Sequence, residues 1–209
     1  MSAIRTVSGV EVPIAGVWVL DSGHAEVAFV GRHFGLTKIR GRFTGVAGTV
    51  AIADDIAESR VEVTVDMASV SSGDQSRDDH LRSPDFFDVA EHPAATFRST
   101  ALTLDGPRAT MAGELTIKNV TRLVVLDVSY LGHAADPWGN DRAVFSASGR
   151  INREDWGLTW NMVLEAGGLL VSKEITLEID VELIRQPGRP PAPGCTPGRR
   201  ASTRAYRNA

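Results

Sequence analysis

The chain has little of the chemistry that disulfide scaffolds, thiolate metal centres and membrane spans require. It contains 209 residues and a single cysteine, Cys195, so neither an intrachain disulfide nor a thiolate metal cluster can form. No run of about 18 apolar residues could cross a bilayer as a helix, and residues 1–15 lack the continuous apolar core of a secretory signal. We therefore expect a cytoplasmic protein.

Signatures of phosphate-binding and hydrolytic enzymes are also absent. The sequence has no GxxxxGK loop and no GxSxG elbow. His24, His33 and His92 are scattered, so no second pair of metal ligands stands at a recognisable spacing. Because no residue has the surroundings of a catalytic nucleophile, we expect no enzyme activity, no metal and no cofactor.

Positive charge is scarce in most of the chain and concentrated at its C-terminal end. The net charge is −4, and five arginines without any acidic residue follow Gln186, which leaves residues 1–185 at −9. Nucleic-acid binding needs clustered Lys and Arg, so this acidic body disfavours a nucleic-acid partner. Residues 186–209 also carry five prolines, a composition typical of a disordered tail. The tail is either an inert overhang or a segment that makes transient membrane contact.

Alternation of apolar and polar residues is what the sequence has in abundance. Residues 174–184, EITLEIDVELI, place five apolar side chains on one face and polar or acidic ones on the other. The same alternation recurs at 37–43 and 61–70. Weaker strand patterns are found at 16–20, 24–31, 48–53, 95–104, 109–118, 121–131 and 142–152. Turn formers separate them at 21–23, 105–107 and 136–140.

So many one-sided strands must bury their apolar faces in a sandwich or a closed barrel. Closure also removes the exposed edges of a long sheet. We expect a loosely held N-terminal leader at 1–15, one barrel domain at 16–185 and the disordered Pro/Arg-rich tail at 186–209. Residues 74–88 lack alternation and predict one or two short helices, with Ser83 as an N-cap before Pro84.

A series of short motifs runs through the chain in a recognisable order. These are WVLD (18–21), His24, VAFV (27–30), RHFG (32–35), GRF (41–43), Gly48, RDDHLRSPDFFD (77–88), His92-Pro93, ATFRS (95–99), GELTIKNVTR (113–122) and INREDWGL (151–158). Together they resemble the YceI-like family of polyisoprenoid-binding, lipocalin-like proteins over about residues 16–185. The resemblance implies an all-β fold, a closed eight-stranded antiparallel barrel around an apolar cavity. It also implies an isoprenoid or fatty-amide ligand.

Small residues on the candidate inward faces bear on whether such a barrel is hollow. Gly41, Gly113, Ala147 and Gly149 alternate with large apolar residues. An eight-stranded barrel can either fill with its own side chains or hold one ligand. The small residues either leave a tunnel along the axis or only allow the strands to bend at barrel corners. Both interpretations remain open from the sequence.

The candidate ligand-binding residues fall into two chemical groups. Polar groups suited to a lipid head group at the barrel mouth are His33, Arg77, Asp79, His80 and Arg153. Aromatic candidates for the cavity wall or lid are Phe34, Phe86, Phe87, Phe97, Trp156 and Trp160. Simpler structural roles compete with these assignments: mutual neutralisation of Arg77 and Asp79, a local salt bridge between Arg153 and Asp155, and core packing of both tryptophans.

The leading hypothesis is therefore a carrier or sequestering protein that holds a long-chain lipid, isoprenoid or fatty amide, inside the barrel. A second is an enzyme that acts on a prenyl or amide lipid at the mouth. A third is a barrel with a filled core whose arginine-rich tail recruits a partner. A homodimer is left open.

Overall fold

The computed structural model describes residues 3–106, 108–162 and 170–187. Residues 188–209 of the tail predicted at 186–209, with Cys195, therefore lie outside the described residues. The described chain is almost entirely β-structure with one short α-helix. The elements are β1 (Ile4–Val7), β2 (Val10–Pro13), β3 (Gly16–His33), β4 (Thr37–Phe43), β5 (Val46–Ile52), β6 (Arg60–Asp66), β7 (Val70–Ser71), α1 (Gln75–Arg82), β8 (Ala94–Asp105), β9 (Arg108–Ile117), β10 (Val120–Ala135), β11 (Asp141–Asn152) and β12 (Glu174–Arg185).

Eight of these strands close into an antiparallel barrel. Neighbours follow the order β3, β5, β6, β8, β9, β10, β11, β12, and β12 pairs back onto β3. The long strand β3 pairs with β5 through its first residues and with β4 through its last ones. β4 and β7 therefore continue β5 and β6 beyond a bend. The predicted closed eight-stranded antiparallel barrel is confirmed.

The turn predicted at residues 21–23 is wrong, because β3 runs through this segment without a break. Its register with β12 shifts, so that Ala25 pairs with Val181 and Leu20 pairs with Leu183. Four residues of β3 lie opposite one residue of β12, and the turn formers supply a bulge rather than a chain reversal. The Asp21 carboxylate is held there by Arg142 Nη1 at 2.6 Å.

The α-helix that the described residues form lies earlier than its predicted N-cap. Asp74 caps α1, and its carboxylate accepts a hydrogen bond from the Arg77 amide at 2.9 Å. Ser83, predicted as an N-cap, instead ends the helix with an extended backbone. The reason is Pro84, whose ring disfavours helical geometry in the residue before it. Residues 84–92 follow in turns and return the chain to β8.

The N-terminal residues, which we expect from the sequence to form a loosely held leader, form strands that contact the barrel. β1 and β2 form an antiparallel hairpin, and Ala3 and Val12 are buried. Both residues belong to the same core cluster as Trp18 and Leu183. The hairpin thus packs against one end of the barrel, which we call the hairpin end.

The opposite end carries α1, and we call it the helix end. A second cluster lies there, built around Phe43, Phe87 and Trp156. Two apolar cores therefore occupy the two ends of one barrel. None of the helices in the described ranges is long and apolar enough to span a membrane.

Candidate functional site

The barrel encloses apolar space that its own side chains do not occupy. A cavity of about 830 Å³ lies at the helix end, and a smaller one of about 230 Å³ lies at the hairpin end. Both are lined by Val27, Val65, Leu115 and Leu177, so they meet at mid-barrel. We call these four residues the waist. The larger volume lies within the range of ligand pockets, and the hypothesis of a filled core is wrong.

The hairpin-end cavity is almost wholly apolar. Val10, Val12 and Pro13 of β2 form its floor, and valines and leucines of the barrel form its wall. Tyr130 brings one hydroxyl into this lining, and burial raises the pKa of that group. Such surroundings suit a hydrocarbon chain and offer little to a charged ligand.

Aromatic rings on the barrel wall explain how the small residues contribute to the cavity. A Cβ on Gly41 would lie only 2.2 Å from the Phe29 ring, and one on Gly113 would lie 2.3 Å from the Phe97 ring. The glycines therefore let both rings lie close against the sheet. Rings placed in this way occupy the wall, and the axis of the barrel stays open.

Polar groups in the larger cavity gather at the helix end. His33, Arg77, His80 and Arg153, four of the predicted head-group contacts, all line this cavity. Arg77 is fixed from α1: its Nε donates to Ser72 Oγ at 2.7 Å and its Nη2 donates to the Ser72 carbonyl at 2.9 Å. A head group with hydrogen-bond acceptors would find several donors here.

Three rings form an aromatic cluster beside these polar groups. His80 makes edge contacts with Phe86 and Trp160, with centroid distances of 5.1 and 4.5 Å. Phe86, Phe87 and Trp160 all line the larger cavity. His80 Nε2 lies 3.0 Å from Asp85 Oδ2, and in the described part of the chain this is the only hydrogen-bond partner of the ring.

Arg153 does not form the salt bridge with Asp155 that the sequence suggested. Its Nε donates to the Ser172 carbonyl at 3.0 Å, and its Nη1 donates to the Leu158 carbonyl. Burial lowers the pKa of this guanidinium, and its Nη2 has no hydrogen-bond partner among the described residues. Arg153 thus joins two chain segments at the cavity mouth and remains short of one acceptor.

Four other candidate residues lie away from this group. Phe97 lines the hairpin-end cavity instead. Asp79 is outside both linings and bonds Gln75 at 2.7 Å and Arg82 at 3.2 Å. Trp156 is buried in the core and donates to the Leu115 carbonyl at 3.1 Å. Phe34 lies outside both linings and is about half exposed.

The structure also brings residues to the mouth that the sequence did not single out. Arg32, Ser72, Leu170 and Val171 all line the larger cavity. Arg32 precedes the predicted His33 in the RHFG motif, so the prediction of a head-group contact could have included it. Ser72 carries no sequence signal, because it reaches the site only through its hydrogen bonds to Arg77 and to the buried Asp78.

One cluster outside the cavities has ligand types that suit a metal. Atoms of Asp21, His24 and Glu182 lie within 4.8 Å of one another. However, Arg142 Nη1 lies 2.6 Å from Asp21 and 2.9 Å from Glu182. The guanidinium already supplies the positive charge that these carboxylates need, so the cluster is an ion-pair network.

A closed eight-stranded antiparallel barrel with an apolar interior and a polar mouth has the architecture of lipocalin-like barrels. Comparison with known sequences identifies the family: the model of the YceI-like domain matches residues 18–183. The chain therefore belongs to the YceI-like family. Protein YceI of Escherichia coli O157:H7 is 37% identical over 167 residues, which cover 79% of this chain and 84% of that protein.

Solved structures show the same fold. Burkholderia cenocepacia BcnA superposes with a TM-score of 0.68 at 22% identity, covering 78% of this chain and 98% of BcnA. A polyisoprenoid-binding domain from Saccharophagus degradans, implicated in plant cell wall breakdown, superposes with a TM-score of 0.60 at 17% identity, covering 83% of this chain and all of that domain.

Proposed function

We propose that residues 16–185 bind one long apolar lipid, an isoprenoid or a fatty amide, with its tail along the barrel axis and its head group at the helix end. The observation that carries this proposal is the pair of abutting cavities, mostly apolar along the axis, with most of their polar lining groups at the helix-end mouth. A chain threaded through the waist would remove both cavity surfaces from water.

The energetics of burial support such a ligand. Each buried CH₂ contributes about 0.8 kcal/mol, so ten of them contribute on the order of 8 kcal/mol before the cost of ordering the chain. Tail length would then set the affinity, and the head group would set the orientation. The relationship to a domain described as polyisoprenoid-binding agrees with this ligand class.

The proposed roles of individual residues follow from their positions. His33, Arg77, His80 and Arg153 contact the head group, and the acceptor that Arg153 Nη2 lacks would come from an amide, hydroxyl or phosphate oxygen. Of the predicted aromatic candidates, Phe86, Phe87, Phe97 and Trp160 form part of the cavity wall. The protein acts as a carrier or a sequestering protein for this lipid.

Native mass spectrometry tests the proposal directly. Protein purified from its own host without detergent should carry one lipid per chain, and organic extraction should release a long-chain isoprenoid or amide. An empty protein that also fails to take up added polyprenol would contradict the proposal.

The contact between His80 and Asp85 favours one alternative, an enzyme that acts on the bound lipid at the mouth. An imidazole 3.0 Å from a carboxylate is a common acid–base arrangement. Incubation of the purified lipid with the wild-type protein and with His80→Ala separates the two functions. We expect the mass of the lipid to stay unchanged with both proteins, whereas conversion by the wild type alone would establish the enzyme.

A further inference from the structure

The turn between β3 and β4 exposes large apolar side chains that take no part in the packing of the barrel. We call residues 32–38, RHFGLTK, the tip. Phe34 is 49% exposed and Leu36 is 80% exposed, although the mostly apolar cavity begins at the neighbouring His33. The Phe34 amide donates a hydrogen bond to the Leu170 carbonyl, and the Leu170 amide donates one to the carbonyl of Met162, whose side chain is also exposed.

The backbone of the tip holds Phe34 in a strained geometry. Phe34 has a φ of 54° and Gly35 a φ of 70°, and the left-handed region costs a bulky residue about 1 kcal/mol or more. The Leu36 amide closes the turn onto the His33 carbonyl at 3.0 Å. An exposed aromatic residue kept in a costly conformation indicates a function for that exposure.

The charge of the tip is opposite to that of the rest of the body. Arg32 and Lys38 are exposed, and within the described ranges neither of them pairs with a carboxylate. Arg40 and Arg42, the next two cations after Lys38 on β4, differ in this respect, because both form ion pairs with Glu26. Residues 1–185 as a whole carry −9, so two unpaired cations beside exposed apolar groups form a local positive site.

The position of the tip connects it with the cavity. Arg32 and His33 line the larger cavity, and the tip continues outward from them. His33 also contacts Phe34, with ring centroids 3.9 Å apart. A surface that received the tip would therefore lie directly beside the mouth.

We propose that the tip docks onto the surface of an anionic bilayer, with Phe34 and Leu36 entering the interface and with Arg32 and Lys38 meeting lipid phosphates. Apolar tips flanked by cations are the elements that such surfaces retain. Docking would turn the helix-end mouth toward the membrane, where an apolar lipid enters or leaves without crossing water. This inference rests on the proposed lipid-binding function.

Vesicle co-flotation of the full chain tests the inference. The probes are vesicles of phosphatidylcholine alone and vesicles with equal parts of phosphatidylcholine and phosphatidylglycerol. The variants Leu36→Ser and Lys38→Gln alter the tip without touching the cavity lining. The control is Trp138→Ser, because Trp138 is 81% exposed at the hairpin end.

We expect the wild type to bind the anionic vesicles preferentially. Lys38→Gln should weaken this binding about fivefold, the effect of one cation near the surface, and Leu36→Ser should weaken it by about tenfold or more. Trp138→Ser should bind as the wild type does. Equal binding by wild type and Leu36→Ser, or no binding by the wild type, would overturn the inference.

A second measurement separates this inference from the proposed function. Uptake of polyprenol from a water-soluble cyclodextrin complex should be the same for wild type, Leu36→Ser and Lys38→Gln, because it needs no membrane. Transfer of the same lipid from anionic vesicles should be slower for both variants. Failure of uptake by the wild type contradicts the proposed function, whereas normal uptake with unchanged vesicle transfer contradicts only the docking.

Discussion

Arg142 illustrates how much one side chain can fix at the hairpin end. Its Nη1 lies 2.6 Å from Asp21 and 2.9 Å from Glu182, and its Nε lies 3.0 Å from Asp136. Three segments, β3, β12 and the turn before β11, thus meet at one guanidinium. The Arg142 contact is the main cause that lowers the pKa of Asp21 to about 2, and bonds to Asn140 and Arg142 lower that of Asp136 to about 2.

These pKa shifts predict how the stability of the protein depends on pH. A carboxyl group whose pKa falls from 3.8 to about 2 on folding stabilises the native state above about pH 4, and this contribution is lost as the pH falls toward 2. Arg142→Gln should therefore lower the free energy of unfolding at pH 7, and its difference from the wild type should shrink between pH 4 and pH 2. Urea unfolding at several pH values measures this.

Arg150→Gln is the matched control, because Arg150 lies on the same strand but is exposed and 3.7 Å from Glu174. It should change stability little at any pH. A difference between Arg142→Gln and wild type that stayed constant from pH 7 to pH 2 would contradict the role of the carboxylates.

Residue-level roles were the least predictable from the sequence. Asp21 belongs to a group of turn formers, yet its tertiary contact with Arg142 keeps it inside a bulged strand. Arg153 was expected to pair with Asp155 because the two are close in sequence, whereas its partners are carbonyls of Leu158 and Ser172. The contact of Asp21 with Arg142 joins β3 to β11 across β12 and so depends on the closed barrel, whereas the contacts of Arg153 depend on the path of the chain between β11 and β12.

At the scale of elements, the N-terminal hairpin has the clearest consequence for the cavity. Val12 is buried, and with Val10 and Pro13 it forms the floor of the hairpin-end cavity. Arg5 ties the hairpin to the loop after β5 through the Ala53 and Asp54 carbonyls. The hairpin therefore acts as the plug of one barrel end.

Val12→Asp should detach this plug. A carboxylate at a buried, apolar position costs at least about 2 kcal/mol, and the chain can avoid the cost by releasing the hairpin. We expect faster amide exchange in residues 4–13, a lower melting temperature and faster release of bound lipid. The control Ser8→Asp places the same charge in the exposed turn between β1 and β2 and should leave all three unchanged. Equal exchange rates in the two variants would refute the plug.

Strands were predictable where apolar and polar residues alternate along the sequence as side chains alternate between the two faces of a sheet. β12 and β6 show strict alternation, and their predicted bounds agree with the structure to within a few residues. The hairpin was missed because β1 and β2 have only four residues each. Four residues are too few for the alternation of apolar and polar residues to stand out in a segment that also contains glycine. Ser83 misled the helix prediction because a Ser-Pro pair suits both the start and the stop of a helix.

For the molecule as a whole, the number of one-sided strands predicted either a sandwich or a closed barrel, and only the resemblance to the YceI-like family implied a closed barrel with a hollow interior. Its volume depends on ring orientation, and the sequence does not state that Phe29 and Phe97 lie against Gly41 and Gly113. Where a glycine lets an aromatic ring lie close against the sheet, the open space along the barrel axis is wider than where a glycine only allows a strand to bend. The result is two cavities that share the lining residues of the waist.

The waist makes the length of the bound chain testable. Val65 lines both cavities and points inward from β6, whereas its neighbour Thr64 is exposed on the outer face. Val65→Phe should obstruct the passage at a cost of about 1–3 kcal/mol in stability, and Thr64→Phe adds a ring outside the barrel as the control. In the wild type, the affinity for straight-chain amides should rise about fourfold for each added CH₂ until the cavities are full.

In Val65→Phe this rise should stop at a shorter chain, because the tail can fill only the helix-end cavity. Short amides should bind both proteins alike, and Thr64→Phe should retain the dependence of the wild type. Titration of a series of amides by fluorescence displacement measures the chain length at which affinity levels off. If Val65→Phe and wild type level off at the same length, the tail does not pass the waist, and the ligand occupies the helix-end cavity alone.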